Sequence, residues 1–278
     1  MKYKNLILIF FAIVLLFYNG RAESGDIYLI VRGDDIGSCH ASNMGCIQAY
    51  DEGIERTVEI MVPCPWFLEA VKMLQDRPQL DVGVHLTLTS EWDGYKWRPL
   101  THALSLVDSN GYFYPRQKDW VNEQAQAFWN AGPDMQEVEQ ELRAQIEMAL
   151  KHIPRVSHLT GHMGIYSPSV SPKMTELVER LAKEYDLDID PADYGVKRAN
   201  DYYPKESDQT KDEKDRKTKF IEMLKNLEPG IYLYVEHPGA ATPELQAIGH
   251  TGNDDVAEKR AEVTEIFTSE KVKEIINR

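Results

Sequence analysis

Positive charge is scarce in this chain: 31 lysines and arginines face 45 aspartates and glutamates, a formal net charge of -14 over 278 residues. So acidic a protein repels nucleic-acid phosphates and anionic lipid surfaces, and suits neutral or cationic ligands. Cysteine is scarcer still, with Cys39, Cys46 and Cys64 alone. An odd number argues against a disulfide framework, although one bridge in an oxidising compartment stays open. Their spacing fits no zinc pattern, and three partly buried small residues is the simpler reading. Long apolar runs are also missing. The unbroken stretch Leu6 to Phe17 is shorter than the about 20 residues that a membrane span needs. No internal repeat, low-complexity tract or linker divides the chain into two domains.

The early apolar stretch reads as an address. Lys2 and Lys4 lie in front of it, and Gly20-Arg21-Ala22 puts small residues where a signal peptidase inspects them. Residues 1–22 are expected to be a signal peptide, with an uncleaved anchor as the alternative. No cysteine follows the run to carry a lipid. Cleavage near Glu23 would remove Lys2, Lys4 and Arg21 and leave the mature chain more acidic, exported to a periplasm or secreted, with no stable membrane span. Residues 23–278 have the length of one α/β barrel and bury a full core without staples.

Apolar β-rich runs alternate with amphipathic stretches along that length. Strands are expected over Asp26–Arg32, Thr57–Val62, Asp81–Leu88, Val156–Thr160 and Gly230–Glu236. Helices are expected over Ser42–Gly53, Pro65–Asp76, Asp134–His152, Pro172–Tyr185 and Lys211–Leu227, the third capped by Asp134. Such alternation predicts a parallel sheet with helices outside it, open or closed into a barrel. Residues 89–133 are rich in Trp, Tyr, Gly and Pro and lack a period.

Polar residues interrupt the pattern at several strand ends. Asp34 and Asp35 follow the first strand, His85 lies in GVHLTL, His158 and His162 lie in SHLTGH, and His237 follows the last clear strand in VEHPG. The carboxyl ends of parallel strands share one rim, where sites are built. Taken singly, each has a bland reading: an Asp pair is usually a solvated turn, and a strand histidine is usually a satisfied core residue. Their common position is what argues for a site. Gly33 and Gly37 flank the aspartates and allow a sharp turn. His158 and His162 have helical spacing, but Gly161 and Gly164 speak against a helix, so both are not expected on one ion. One carboxylate and two imidazoles with open positions make a catalytic rather than a structural metal set. Zinc accepts such mixed ligands and magnesium would add waters, so the identity stays open between them.

At these residues the chain resembles the YdjC-like carbohydrate deacetylase family. The likeness is carried by Asp34-Asp35-Ile36-Gly37 and by a helix ending in Asp51, Gly53 and Ile54, with Glu52 inserted. It continues through Met61-Val62 and the block Gly83-Val84-His85-Leu86-Thr87-Leu88-Thr89. Ser157-His158-Leu159 with His162 and His237-Pro238-Gly239 complete it. The resemblance implies a deformed (β/α) TIM-like barrel, a single domain that hydrolyses an acetamide on an amino sugar or oligosaccharide. It implies one divalent metal ion held by Asp35, His85 and His162, with Asp34 as general base and His237 as general acid. A homodimer is a further open expectation. Arg32-Gly33 stands where the family usually has Asn-Ala. The run His158-Leu159-Thr160-Gly161-His162 lacks the acid and the trailing histidines of the family pattern His-Leu-Asp-Ser-His.

Trp92, Tyr95, Trp97 and Trp120 lie in the aperiodic stretch. Sugars present C–H faces that stack on aromatic rings, and long rim loops commonly carry specificity. Trp92, Trp97 and His158 are the expected substrate contacts, against the alternative that the tryptophans pack the loop onto the barrel. Two other classes share parts of this set: a sugar-binding barrel with altered chemistry, and a metallophosphoesterase. The first has no need of all five strand-end residues. The second lacks a cluster for another metal and is disfavoured by the acidic surface. The mixed run Lys205 to Lys219 is most simply a solvated helix face.

Overall fold

The sequence Ile27–Ile36 carries β-branched and aromatic residues that favour a strand, and it forms β1, the middle of the sheet. The computed structural model describes residues 25–119, 121–122, 124–166, 171–189, 194–202, 215–249 and 254–277. The leader over residues 1–22, Trp120 and most of the charge run before Asp215 lie outside them. The other strands are β2 (Thr57–Ile60), β3 (Asp81–Leu86), β4 (His158–Gly161), β5 (Lys197–Arg198) and β6 (Gly230–Glu236). All pair in parallel, in the order β4-β3-β2-β1-β6-β5. Past β4, a lone parallel bridge joins His158 to Asp188. The result is a single α/β domain whose sheet curls into a half-barrel.

Helices α1 (His40–Asp51), α2 (Phe67–Gln75), α3 (Met135–His152) and α4 (Pro172–Tyr185) cover the outer face from β1 to β4. Helices α5 (Arg216–Lys225), α6 (Pro243–Gln246), α7 (Val256–Thr268) and α8 (Glu270–Ile276) follow near the β1–β6 side. The outward side chains Val58, Ile60, Val82, Val84, Leu86 and Leu159 are buried with apolar residues of α2, α3 and α4. A second cluster joins Tyr232 and Tyr234 of β6 to Phe220 and Phe267. This burial fixes register, because slipping a strand by one residue would turn every apolar side chain inward. The inward face is polar instead, carrying Arg32, Glu59, His85 and Thr160.

Helix α3 shows how the fold holds its rim. Asp134 caps it, accepting from the Gln136 amide at 2.8 Å, with Glu137 in its first turn and Lys151 and His152 in its last, as the helix dipole favours. Its buried stripe includes Glu141 and Gln145. Gln145 clamps the Thr87 backbone, accepting from its N–H at 2.9 Å and donating to its carbonyl at 2.8 Å. Glu141 accepts from the Leu100 and Thr101 amides. The aromatic loop after β3 is therefore tied to α3 at its start and again at Leu100 and Thr101.

Strand β1 runs beyond Arg32, where turn-forming residues suggested an end. Gly33 still pairs with Glu236 of β6, and Ile36 with Ile60 of β2, across a register shift between Gly33 and Ile36. A bulge of this kind re-aims side chains. Asp35 sits at φ 73 and Gly37 at φ 95, so the left-handed conformation falls on Asp35 and Gly37 rather than on Gly33. Cys39, Cys46 and Cys64 are free and buried.

Candidate functional site

A regular strand would send Asp34 and Asp35 to opposite faces. The bulge brings both carboxylates to the carboxyl-end mouth instead. Asp34 Oδ2 lies 3.8 Å and Asp35 Oδ1 3.6 Å from His85 Nε2. His162 follows β4 directly, and its Nδ1 lies 3.4 Å from Asp35 Oδ1. Asp35, His85 and His162 each offer one ligand atom, all within 4.8 Å of one another and all buried. His237 stands at the edge, its Nε2 4.0 Å from Asp35 Oδ2 and its side chain 44% exposed.

The His-Pro-Gly turn reaches this place through glycine packing. A Cβ on Gly45 would sit 2.3 Å from the Gly239 Cα, so α1 accepts the turn only because Gly45 lacks a side chain, while a Cβ on Gly239 would press on Arg260 of α7 at 2.8 Å. Gly239 is bonded to α7 as well, through the Arg260 carbonyl and the Thr264 hydroxyl.

Each carboxylate has one oxygen anchored. Arg32 Nε donates to Asp34 Oδ1 at 2.9 Å, and Arg260 Nη2 donates to Asp35 Oδ2 at 2.6 Å. Among the described residues, Asp35 Oδ1 is buried without a hydrogen-bond partner. Burial pushes the Asp35 carboxyl up, but the charges of Arg260, His237 and His162 hold it well below the usual carboxylate range. Burial holds His85 below its ordinary value against the pull of Asp34, which favours a neutral ring. Burial also opposes a proton on His162, yet Glu91 and Asp35 push it up to about 10. His237 is raised too, Asp35 and Glu236 overcoming its desolvation.

An anionic oxygen left unpaired in a buried site, facing two imidazole nitrogens, is a donor set that a divalent cation would satisfy. These residues could hold a metal ion. They line a cavity of about 560 Å³ together with Asp34, Glu91, Trp92 and His237, within the range of small-molecule sites.

Comparison with known proteins agrees with the motifs. The YdjC-like protein family model matches residues 28–278. The chain belongs to the YdjC-like family. It is 33% identical over 236 residues to a carbohydrate deacetylase of Thermus thermophilus, covering 79% of this chain and 80% of that one. It is 32% identical over 176 residues to carbohydrate deacetylase 1 of Listeria innocua, covering 63% and 66% respectively. A provisionally named cellobiose-phosphate cleavage protein of Enterococcus faecalis V583 shares the fold, with a TM-score of 0.68 at 24% identity over 91% of this chain and 95% of that one.

Within this YdjC-like chain the three expected substrate contacts take different places. Trp92 borders the cavity and lies over Arg260, whose Cζ is 5.8 Å from the ring centroid. Trp97 is 2% exposed, donates its indole N–H to the Thr89 carbonyl and packs edge-on against His162. His158 lies at the start of β4, where its Nε2 meets Glu59 Oε1 at 2.8 Å. It borders a second cavity at the opposite end of the strands, apart from the mouth that holds His162.

Several partners escaped the motif reading. Glu91 Oε2 meets His162 Nε2 at 3.0 Å and thereby turns Nδ1 toward Asp35. Arg260 comes from α7, where its spacing looks like any helix arginine. Glu59 left one trace: it is an acid inside the apolar strand TVEIMV, and it is fully buried.

Proposed function

We propose that this chain is a metal-dependent hydrolase that removes N-acetyl groups from amino sugars or oligosaccharides. One observation carries the reading: the unpaired Asp35 Oδ1 faces His85 Nε2 and His162 Nδ1 beside a second carboxylate, Asp34, at the carboxyl ends of parallel strands. The names of the Thermus and Listeria relatives support it.

An amide is a poor electrophile with a poor leaving group, so its hydrolysis needs carbonyl polarisation, a base for water and an acid for nitrogen. A divalent cation held by Asp35, His85 and His162, magnesium or zinc, would supply the Lewis-acid charge. Arg32 fixes Asp34 by Oδ1, leaving Oδ2 to accept the proton of the attacking water. His237, raised toward its protonated form and half exposed at the mouth, delivers a proton to the departing sugar nitrogen as the C–N bond breaks. Acetate and a free amine result. Trp92 gives the cavity an apolar wall for the sugar face. Residues 1–22 serve as an export leader in this proposal, and residues 23–278 as the enzyme.

The test incubates the mature protein with chitobiose and related N-acetylated sugars, and follows acetate with and without a chelator. Acetate release that stops with chelation and returns with zinc or magnesium is expected. Release of phosphate from an aryl phosphate, with no acetate from any of these sugars, would overturn the reading.

A further inference from the structure

The ligand set uses little of the polar interior of the half-barrel. Behind His85 a chain of hydrogen bonds crosses the strands toward their amino ends. His85 Nδ1 lies 2.8 Å from Thr160 Oγ1. Thr160 Oγ1 donates to Glu59 Oε2 at 2.6 Å. Glu59 Oε1 meets His158 Nε2 at 2.8 Å. His158 Nδ1 then meets Ser157 Oγ at 2.7 Å, and Ser157 donates to Asp81 Oδ1 at 2.7 Å. The strand register sets the first link, since His85 and Thr160 are direct neighbours in β3 and β4. Gly83 makes room for the third: a Cβ there would fall 2.2 Å from Glu59 Oε2 and 2.5 Å from His158 Nε2.

Proton counting gives this chain a direction. A threonine hydroxyl has one hydrogen to donate, and an ionised carboxylate only accepts. Glu59 is fully buried beside His158 and within 3.8 Å of Arg32 Nε, the surroundings of an anion. The Thr160 hydrogen therefore points at Glu59. Thr160 can then only accept from His85, so the ring hydrogen sits on Nδ1 and the lone pair on Nε2. Nε2 is the atom that faces Asp35 Oδ1.

We propose that Glu59 is a positioning residue which, through the Thr160 hydroxyl, locks His85 in the Nδ1–H tautomer and presents Nε2 to the cation. This deepens the reading of Asp35, His85 and His162 as a cation site and rests on it. Outer partners of this kind are typically worth about 10–100-fold in metal affinity. Glu59→Gln has a specific consequence. Its amide oxygen would keep the bond from His158, and its NH2 would donate to Thr160. The hydroxyl would then turn its hydrogen toward His85 Nδ1 and move the ring hydrogen to Nε2, blocking the ligand atom.

Two readouts test this. The His85 tautomer is read by ¹⁵N NMR of the metal-free protein, and zinc affinity by competition with a chromophoric chelator. Wild type should show Nδ1–H. Glu59→Gln should show the reversed tautomer and lose about 10–100-fold in zinc affinity. Thr160→Val, which leaves Glu59 its bonds to His158, should lose affinity similarly, while Thr160→Ser should retain it. An Nε2–H tautomer in wild type would overturn the proposal, as would unchanged zinc affinity in both Glu59→Gln and Thr160→Val. Wild type that shows Nδ1–H but binds no zinc would sink the cation-site reading, and with it the presentation of Nε2 to a cation.

Discussion

Arg260 donates to Asp35 Oδ2 at 2.6 Å and so decides which oxygen of that carboxylate is free. The guanidinium spends another nitrogen on the Ser42 hydroxyl at 3.0 Å, which ties α7 to α1 over the ligand set. Both charged side chains are at most 10% exposed. Removing one partner of such a pair leaves a buried charge uncompensated, at a cost of about 3–5 kcal/mol. Arg260→Met is expected to lower unfolding stability of the metal-free protein by that order, measured in urea. Zinc should recover part of the loss, because the cation neutralises the abandoned carboxylate. Equal loss with and without zinc would show that Arg260 acts by packing alone.

The site separates holding from reacting. His85 contributes a ligand atom, whereas Asp34 offers Oδ2 beside the set. His85→Ala should lose bound metal, measured as metal content after dialysis. Asp34→Asn should keep its metal while acetate release falls by about 10²–10⁴-fold, the usual scale for losing a general base. Full activity in Asp34→Asn would remove it from the reaction.

Trp92 and Trp97 should part company when replaced. Trp97 is sealed between Thr89 and His162, and its truncation should cost about 3–5 kcal/mol of stability, as for large buried aromatics. Trp92 borders the cavity. Trp92→Ala should raise KM for an oligosaccharide much more than for a small acetylated amine. Equal KM shifts for both substrates would deny Trp92 a sugar contact.

The parallel strands and the mouth residues were legible because both follow from period and position, whereas the strand order was not. The apolar runs marked β1, β2, β3, β4 and β6, and the polar residues at the ends of β1, β3, β4 and β6 marked the rim where Asp35, His85, His162 and His237 meet. The helix over residues 172–185 and β6 fall where their patterns put them. The bulge was not legible: Gly-Asp-Asp-Ile-Gly has turn composition, and only pairing to two neighbouring strands keeps it in the sheet. Arg260 and Glu91 were hidden for another reason. Their roles depend on which atom of Asp35 or His162 they reach, and such atomic partnership leaves no period in a sequence. Thr160 stands where the family pattern has an acid, and a carboxylate returns at one remove as Glu59 from the strand beyond.

His158 allows a test by pH away from the ligand set. Its surroundings are Glu59 at 2.8 Å, Asp81 at 3.6 Å and the Ser157 hydroxyl at 2.7 Å. Burial lowers its pKa, but the charge and hydrogen bond of Glu59, helped by Asp81, raise it overall above the ordinary 6.5. A histidine whose folded pKa is raised stabilises the native state fully below its unfolded value, near about 6.5, and loses that contribution as pH climbs through the folded value. The stability gap between wild type and His158→Gln should therefore be largest in mildly acidic buffer and shrink steadily above neutrality. Urea unfolding of both proteins at about pH 5.5, 7 and 8.5 measures it. Taking the difference cancels the carboxylates that titrate in both proteins. A gap that widens toward alkaline pH would mean that His158 is held neutral, and that the Glu59 carboxylate draws its compensation from Arg32 instead.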